Sequence, residues 1–201
     1  MIKIADVTDM FKPDWATILE DVKGLDDRLV LGDWGGWGVM TNTGHHREGF
    51  GYGFGPDIKP PTSYTHGLKH LTWSSAAKPS IKAAVEQVRR KGLFPSRVRI
   101  TTLDAHGKIG WHSDTPTPET SLFRLHFILQ TNPLALFESR DTAWHLKEHH
   151  VYLFDANHEH RIVNNGEQVR IHLMMDIRMS AYAAKISEGR WYEGEPRNSE
   201  A

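Results

Sequence analysis

The feature that most constrains this chain is a change of period near residue 96. Upstream, PSIKAAVEQVRRKG repeats apolar residues every three to four positions, as a helix with one buried face does. Downstream, seven short runs are rich in β-branched and aromatic residues: RVRITTL (97–103), SLFRLHFILQ (121–130), LALFES (134–139), TAWHL (142–146), HHVYLFD (149–155), HRIV (160–163) and QVRIHLMMDI (168–177). DAHGK, TPTPET, TNP, SRD, ANHE and NNGE separate them as turns. Strands at this spacing without intervening helices predict a mainly β fold with flanking N-terminal helices, an antiparallel sandwich or barrel such as a jelly roll.

The helices come first. KPDWATILEDVKG places Pro13 in a first turn, Trp15, Ile18, Leu19 and Val22 on one face, and Gly24 as a stop. In PSIKAAVEQVRRKG, Ser80 reads as the N-cap, Ile81, Ala84, Val85 and Val88 as the buried stripe, and Gly92 as the C-cap. Residues 29–78, with GDWGGWG, EGFGYGFGPD and KPPTSY, read as loop-rich with one or two short strands, either irregular packing or a substrate-facing lid. GRWYEGEPRNSEA reads as a surface arm or frayed tail. The 201 residues suit one domain: a helical and loop-rich part over 1–95, a jelly-roll core over 96–178 and a C-terminal arm over 179–201.

Composition narrows function. With 24 Lys+Arg against 25 Asp+Glu, the chain has no broad attraction for nucleic acid or an anionic membrane, so a small-molecule or peptide partner is expected. The absence of cysteine excludes thiolate catalysis, disulfides and Cys-based metal sites. No run approaches the ~18 apolar residues of a membrane span and the N-terminus does not read as a secretory signal, so a cytoplasmic setting is expected. The 13 histidines, gathered toward the β region, raise the prospect of a metal site.

Alternation separates the faces of two strands. Leu125, Phe127 and Leu129 oppose Arg124, His126, Ile128 and Gln130; Val169, Ile171, Leu173 and Met175 oppose Arg170, His172, Met174 and Asp176. Ile128 and Met174 on the polar faces suit a partly apolar barrel interior. An Arg turned inward there needs a counter-charge, from acidic neighbours or an anionic ligand. In GWHSDTP, His112 and Asp114 form an HxD pair, a pattern that chance supplies about once in a chain like this. ANHEHRIV adds His158 and His160 on a later strand, ten residues or so before Arg170. Two imidazoles and a carboxylate make the facial triad of non-haem Fe(II), and Arg170 then suits a dicarboxylate co-substrate.

GWHSD, FRLHFILQTNP and YLFDANHEHRIVNNGEQVRIHLMMDI together resemble the aspartyl/asparaginyl β-hydroxylase family of Fe(II)/2-oxoglutarate-dependent oxygenases, over about Arg97 to Ile177. The resemblance implies a double-stranded β-helix, the cupin-like jelly roll, and a dioxygenase that hydroxylates a C–H bond and releases succinate and CO2. It implies Fe(II) on His112, Asp114 and His160, the ten-residue distance to Arg170 favouring His160 over His158. It implies 2-oxoglutarate on Arg170, His126 and Thr101, and Arg124 toward 2-oxoglutarate or an anionic group of the substrate. Members that give the family its name can lack the carboxylate ligand; this chain keeps Asp114, so their protein substrates are not carried over. Trp111 and Trp144 are expected in the core or on the cavity wall. A cupin-type metal-binding jelly roll without oxygenase activity is the competing reading, and it needs neither Arg170 nor His126.

Overall fold

Strand alternation and helix periodicity converge on one apolar interface, and they decide which side of the main sheet each residue takes. The computed structural model describes residues 3–41, 44–46, 72–114, 122–155, 158–178 and 185–196. In chain order the elements are β1 (Ile4–Asp6), α1 (Trp15–Lys23), β2 (Leu29–Leu31), β3 (Trp34–Thr41), β4 (Thr72–Trp73), α2 (Pro79–Arg90), β5 (Pro95–Leu103) and β6 (Lys108–His112). There follow β7 (Leu122–Gln130), β8 (Ala135–Glu138), β9 (Thr142–His145), β10 (Val151–Asp155), β11 (His160–Asn164), β12 (Arg170–Arg178) and β13 (Glu195–Pro196). An eight-stranded sheet runs β1-β10-β7-β12-β5-β3-β2 with β4 on β3, and a five-stranded sheet runs β13-β9-β8-β11-β6. All pairings are antiparallel, the jelly-roll arrangement that the strand spacing predicts.

The outer face of the large sheet is apolar because alternate residues make it so. Val98 and Ile100 of β5, Leu125, Phe127 and Leu129 of β7, and Leu173 and Met175 of β12 are buried with Ile18 and Val22 of α1 and Ile81, Ala84, Val85 and Val88 of α2. Each of these side chains larger than Ala84 contributes roughly 1.5–3 kcal/mol on burial. The other face turns toward the small sheet, where Leu103, Ile128, Tyr152 and Phe154 meet Phe137, Trp144 and Ile162. The polar residues of β5, β7 and β12 therefore enter a two-walled interior, not solvent.

Several local expectations are corrected. The first helix is capped by Asp14, which accepts from the Thr17 amide at 3.1 Å, so Pro13 precedes the cap and lies outside the first turn. In α2 the N-cap is Lys78, with Pro79 at the first helical position; Ser80 instead donates to Asp21 at 2.5 Å and ties α2 to α1. Lys91 is the C-cap, and Gly92 follows it at φ 75. Gly32 and Asp33 are the turn, and WGGWG begins a full strand: β3 pairs with both β2 and β5 and is almost wholly buried. Its glycines hide it from propensity, yet pairing requires them, because a Cβ on Gly35 would lie 1.9 Å from the Leu29 carbonyl and Gly36 sits at φ 141. The rest of the lid candidate, 42–43 and 47–71, lies outside the described residues.

The C-terminal arm is docked. Tyr192 donates its amide to Ile4 O at 2.8 Å and its hydroxyl to His145 O at 2.9 Å, Trp144 donates to Tyr192 O, and β13 pairs with β9. Among the described residues, no helix is long and apolar enough to cross a membrane.

Candidate active site

The HxD pair and His160 reach one another because their strands are neighbours. β6 and β11 pair with His112 directly opposite His160, and a bulge between His160 and Ile162 adjusts the register there. His112, Asp114 and His160 each offer a ligand atom, and the three atoms lie within 4.8 Å of one another. Both rings are fixed by their own backbone: His112 Nδ1 donates to Gly110 O at 2.7 Å, and His160 Nδ1 donates to His158 O at 2.8 Å. A carbonyl only accepts, so the proton is on Nδ1 and, in the neutral ring, Nε2 carries a lone pair. His160 Nε2 faces Asp114 Oδ2 at 3.4 Å. Two lone-pair atoms so placed repel unless a cation joins them. The set of two imidazole nitrogens and one carboxylate oxygen fits Fe(II).

His158, the alternative ligand by position, is exposed and supplies its carbonyl to His160. Burial lowers the His112 pKa, favouring the neutral ring that a metal needs. Burial raises Asp114, but the charge of the adjacent Arg124 outweighs it and holds the carboxyl well below the usual range.

The triad opens onto a cavity of about 450 Å³ between the sheets, whose wall includes Thr101, Arg124, His126 and Arg170. All the residues expected at the site therefore share one space. Thr101 is buried on β5 and donates to Met174 Sδ at 3.5 Å. Arg124 is engaged by carboxylates on two sides: its Nη1 bonds Asp114, and its Nε donates to Asp176 Oδ1 at 2.7 Å. Asp176, 2% exposed, also receives Arg97 Nε at 2.6 Å and lies 3.5 Å from Arg99 Nη2. Burial raises the Asp176 pKa, but Arg124, Arg97 and Arg99 drive it far below the carboxylate range.

Arg170 is different. It is 5% exposed, and its partner is a neutral imidazole: Nη2 donates to His172 Nδ1 at 2.9 Å. Burial pushes its pKa down to about 9, with no carboxylate among the described residues acting on it, so it stays charged at neutral pH. The His172 ring in turn meets His126, Nδ1 to Nδ1 at 3.0 Å.

Sequence reasoning assigned no role to Asp176, His172, Arg97, Arg99 or Trp34. Asp176 and His172 stood on the polar face already identified for β12, and the same alternation puts Arg97, Arg99 and Thr101 on one face of β5. That was the available signal. Trp34 lines the cavity from β3, which lies in the region read as loop-rich with one or two short strands. Trp111 also lines it and stacks with Arg140 and Arg161, 4.1 and 5.1 Å from its ring centre. Trp144 packs in the interior against Phe137.

Comparisons with known proteins agree with this geometry. The family described as aspartyl/asparaginyl beta-hydroxylase matches residues 63–179, more than half of the 201-residue chain. No curated protein matches in sequence. A 2OG-Fe(II) oxygenase family oxidoreductase from Burkholderia pseudomallei is similar in structure at TM-score 0.60 and 12% identity, over 88% of this chain and 84% of that one. A prolyl hydroxylase from Trichoplax adhaerens, solved with a hypoxia inducible factor peptide fragment, is similar at TM-score 0.50 and 9% identity, over 90% and 86%. AviO1 from Streptomyces viridochromogenes Tue57 is similar at TM-score 0.50 and 13% identity, over 89% and 90%. At such identities these likenesses show the fold. The family match carries the activity: the chain belongs to the aspartyl/asparaginyl beta-hydroxylase family and is a hydroxylase, with a His-Asp-His cluster that could hold a metal ion.

Proposed function

We propose that this enzyme hydroxylates an unactivated C–H bond of an amino acid, or of an Asp, Asn or Pro-type residue in a peptide or protein, in a cytoplasmic setting. One oxygen atom of O2 enters the substrate as hydroxyl; the other enters succinate as 2-oxoglutarate loses CO2. The observation that carries the reading is the pairing, in one cavity, of a His-Asp-His cluster with a buried guanidinium that no carboxylate among the described residues neutralises.

His112, Asp114 and His160 would hold the iron, which supplies the oxygen activation when bound. Arg170 receives the distal carboxylate of 2-oxoglutarate with a two-pronged hydrogen-bonded grip, with Thr101 and His126 on the wall beside it. Arg124 is the cation on the substrate side, and it also anchors the Asp114 carboxylate by a direct bond, so that a ligand oxygen keeps its direction. The apolar wall of Phe137, Phe154 and Ile162 keeps water away from the reacting C–H bond. A metal-binding jelly roll without oxygenase activity has no use for Arg170.

The test is direct. Anaerobic Fe(II) and 2-oxoglutarate should give a weak visible charge-transfer band, and aerobic turnover should release succinate. Folded protein that gives neither overturns the reading. Succinate release across a panel of free amino acids and Asp-, Asn- and Pro-containing peptides then identifies the substrate.

A further inference from the structure

We infer that His172 is a positioning residue for the anion end of the cavity: one lone pair on its Nδ1 both aims Arg170 and decides which nitrogen of His126 is a donor. The inference rests on the 2-oxoglutarate reading for its binding test, but not for its structural one. His172 is fully buried, at 0% exposure, and does not itself line the cavity.

The proton inventory fixes the arrangement. A guanidinium has donors only, so the 2.9 Å contact from Arg170 Nη2 requires an unprotonated His172 Nδ1. His126 Nδ1 lies 3.0 Å from that same atom and must therefore bring the proton. His172 is then the Nε2–H tautomer, and His126 carries its proton on Nδ1 with a bare Nε2. Both Nε2 atoms are buried and have no hydrogen-bond partner among the described residues. Protonating either ring would place a second cation beside Arg170; burial, with the Arg170 charge, holds both pKa values far below the ordinary histidine value.

Two consequences follow. Arg170 has one N–H tied behind it, which turns its remaining donors toward an incoming carboxylate and lowers the entropy lost on binding. His126, 4% exposed and on the cavity wall, keeps a bare acceptor at its buried Nε2. It meets a carboxylate only through a bridging donor, and it is matched directly to an N–H or O–H, from a water or from the substrate.

The experiment pairs two replacements with a spectroscopic measurement. Asn at 172 can keep an acceptor oxygen near the Nδ1 position; Leu fills similar space without one. In anaerobic titrations of the Fe(II) protein, 2-oxoglutarate affinity should fall about ten-fold or more in His172→Leu and return to within about three-fold of wild type in His172→Asn. Iron affinity should be unchanged in both. Wild-type affinity in His172→Leu, or no rescue by Asn, overturns the inference. Independently, ¹⁵N resonances of the His126 ring in the wild-type protein, assigned by their loss in His126→Asn, should show a protonated Nδ1 and a bare Nε2. The opposite tautomer overturns the inference even if His172→Leu does not fold. Wild-type protein that shows the expected tautomer but binds no 2-oxoglutarate supports the His172 arrangement and refutes the co-substrate reading.

Discussion

The two ends of the cavity handle buried charge in opposite ways. At the ligand end, Asp114 and Asp176 are held by Arg124, and Asp176 also by Arg97 and Arg99, in a network joined through shared carboxylates. At the far end Arg170 is as deeply buried, yet it leans on a neutral imidazole. A network in which every buried carboxylate is met by guanidiniums is scaffold: removing one partner strands the others in a low dielectric. A cation left unbalanced suits a binding site, because an arriving carboxylate would relieve an unfavourable state that the fold maintains. The same residue type serves both purposes, and only the neighbours distinguish them.

This contrast can be broken by experiment, and the largest effect belongs to the scaffold end. Replacing Asp176 with Asn leaves three guanidiniums around a neutral amide and should destabilise the protein by about 3–5 kcal/mol in urea unfolding. A loss below about 1 kcal/mol would mean that the network is not structural. Next is Arg170→Met, which should weaken 2-oxoglutarate by about 100-fold while leaving stability unchanged or slightly raised, since an uncompensated charge is removed. Destabilisation comparable to Asp176→Asn would erase the distinction between the two ends.

Acid sharpens the comparison further. Asp114 and Asp176 have folded pKa values below their unfolded ones, so their contribution is complete above the ordinary carboxylate pKa of about 4 and is lost as pH falls below it. The decline of melting temperature below pH 4 should therefore be shallower in Asp176→Asn than in wild type, and unaltered in Arg170→Met. The smallest effect is expected from Arg97→Ala. Its side chain is 29% exposed, so solvent screens the pair and the loss should stay near 1 kcal/mol by urea unfolding.

Much of this was legible one residue at a time. Alternation along SLFRLHFILQ and QVRIHLMMDI separated the helix-facing residues from the cavity-facing ones, because the pleat leaves no other choice once one face is apolar. HxD and a His ten residues before an Arg carried the resemblance that implies His112, Asp114 and His160 as ligands. β3 was hidden, because WGGWGVMT has weak strand propensity and its glycines answer to Leu29 across the ladder, a neighbour that propensity does not see. Ser80 looked like a cap because it precedes the apolar stripe; Asp21 on another helix redirected its hydroxyl. The C-terminal stretch read as either a surface arm or a frayed tail, and Ile4, Trp144 and His145, far away in the chain, hold its residue Tyr192 down.

The sequence by itself determined most strands of the β region and their polar and apolar faces, since these rest on periodicity along one segment, and its motifs carried the family resemblance that implies the donor set. Only the tertiary structure decided that Arg124 and Arg170, alike in sequence and both facing inward, have different partners. It brought Asp114 and Asp176 to the first and a neutral His172 to the second. Charge balance is a property of what lies within a few ångströms in space, and antiparallel pairing gathers those groups from strands that a linear reading keeps apart.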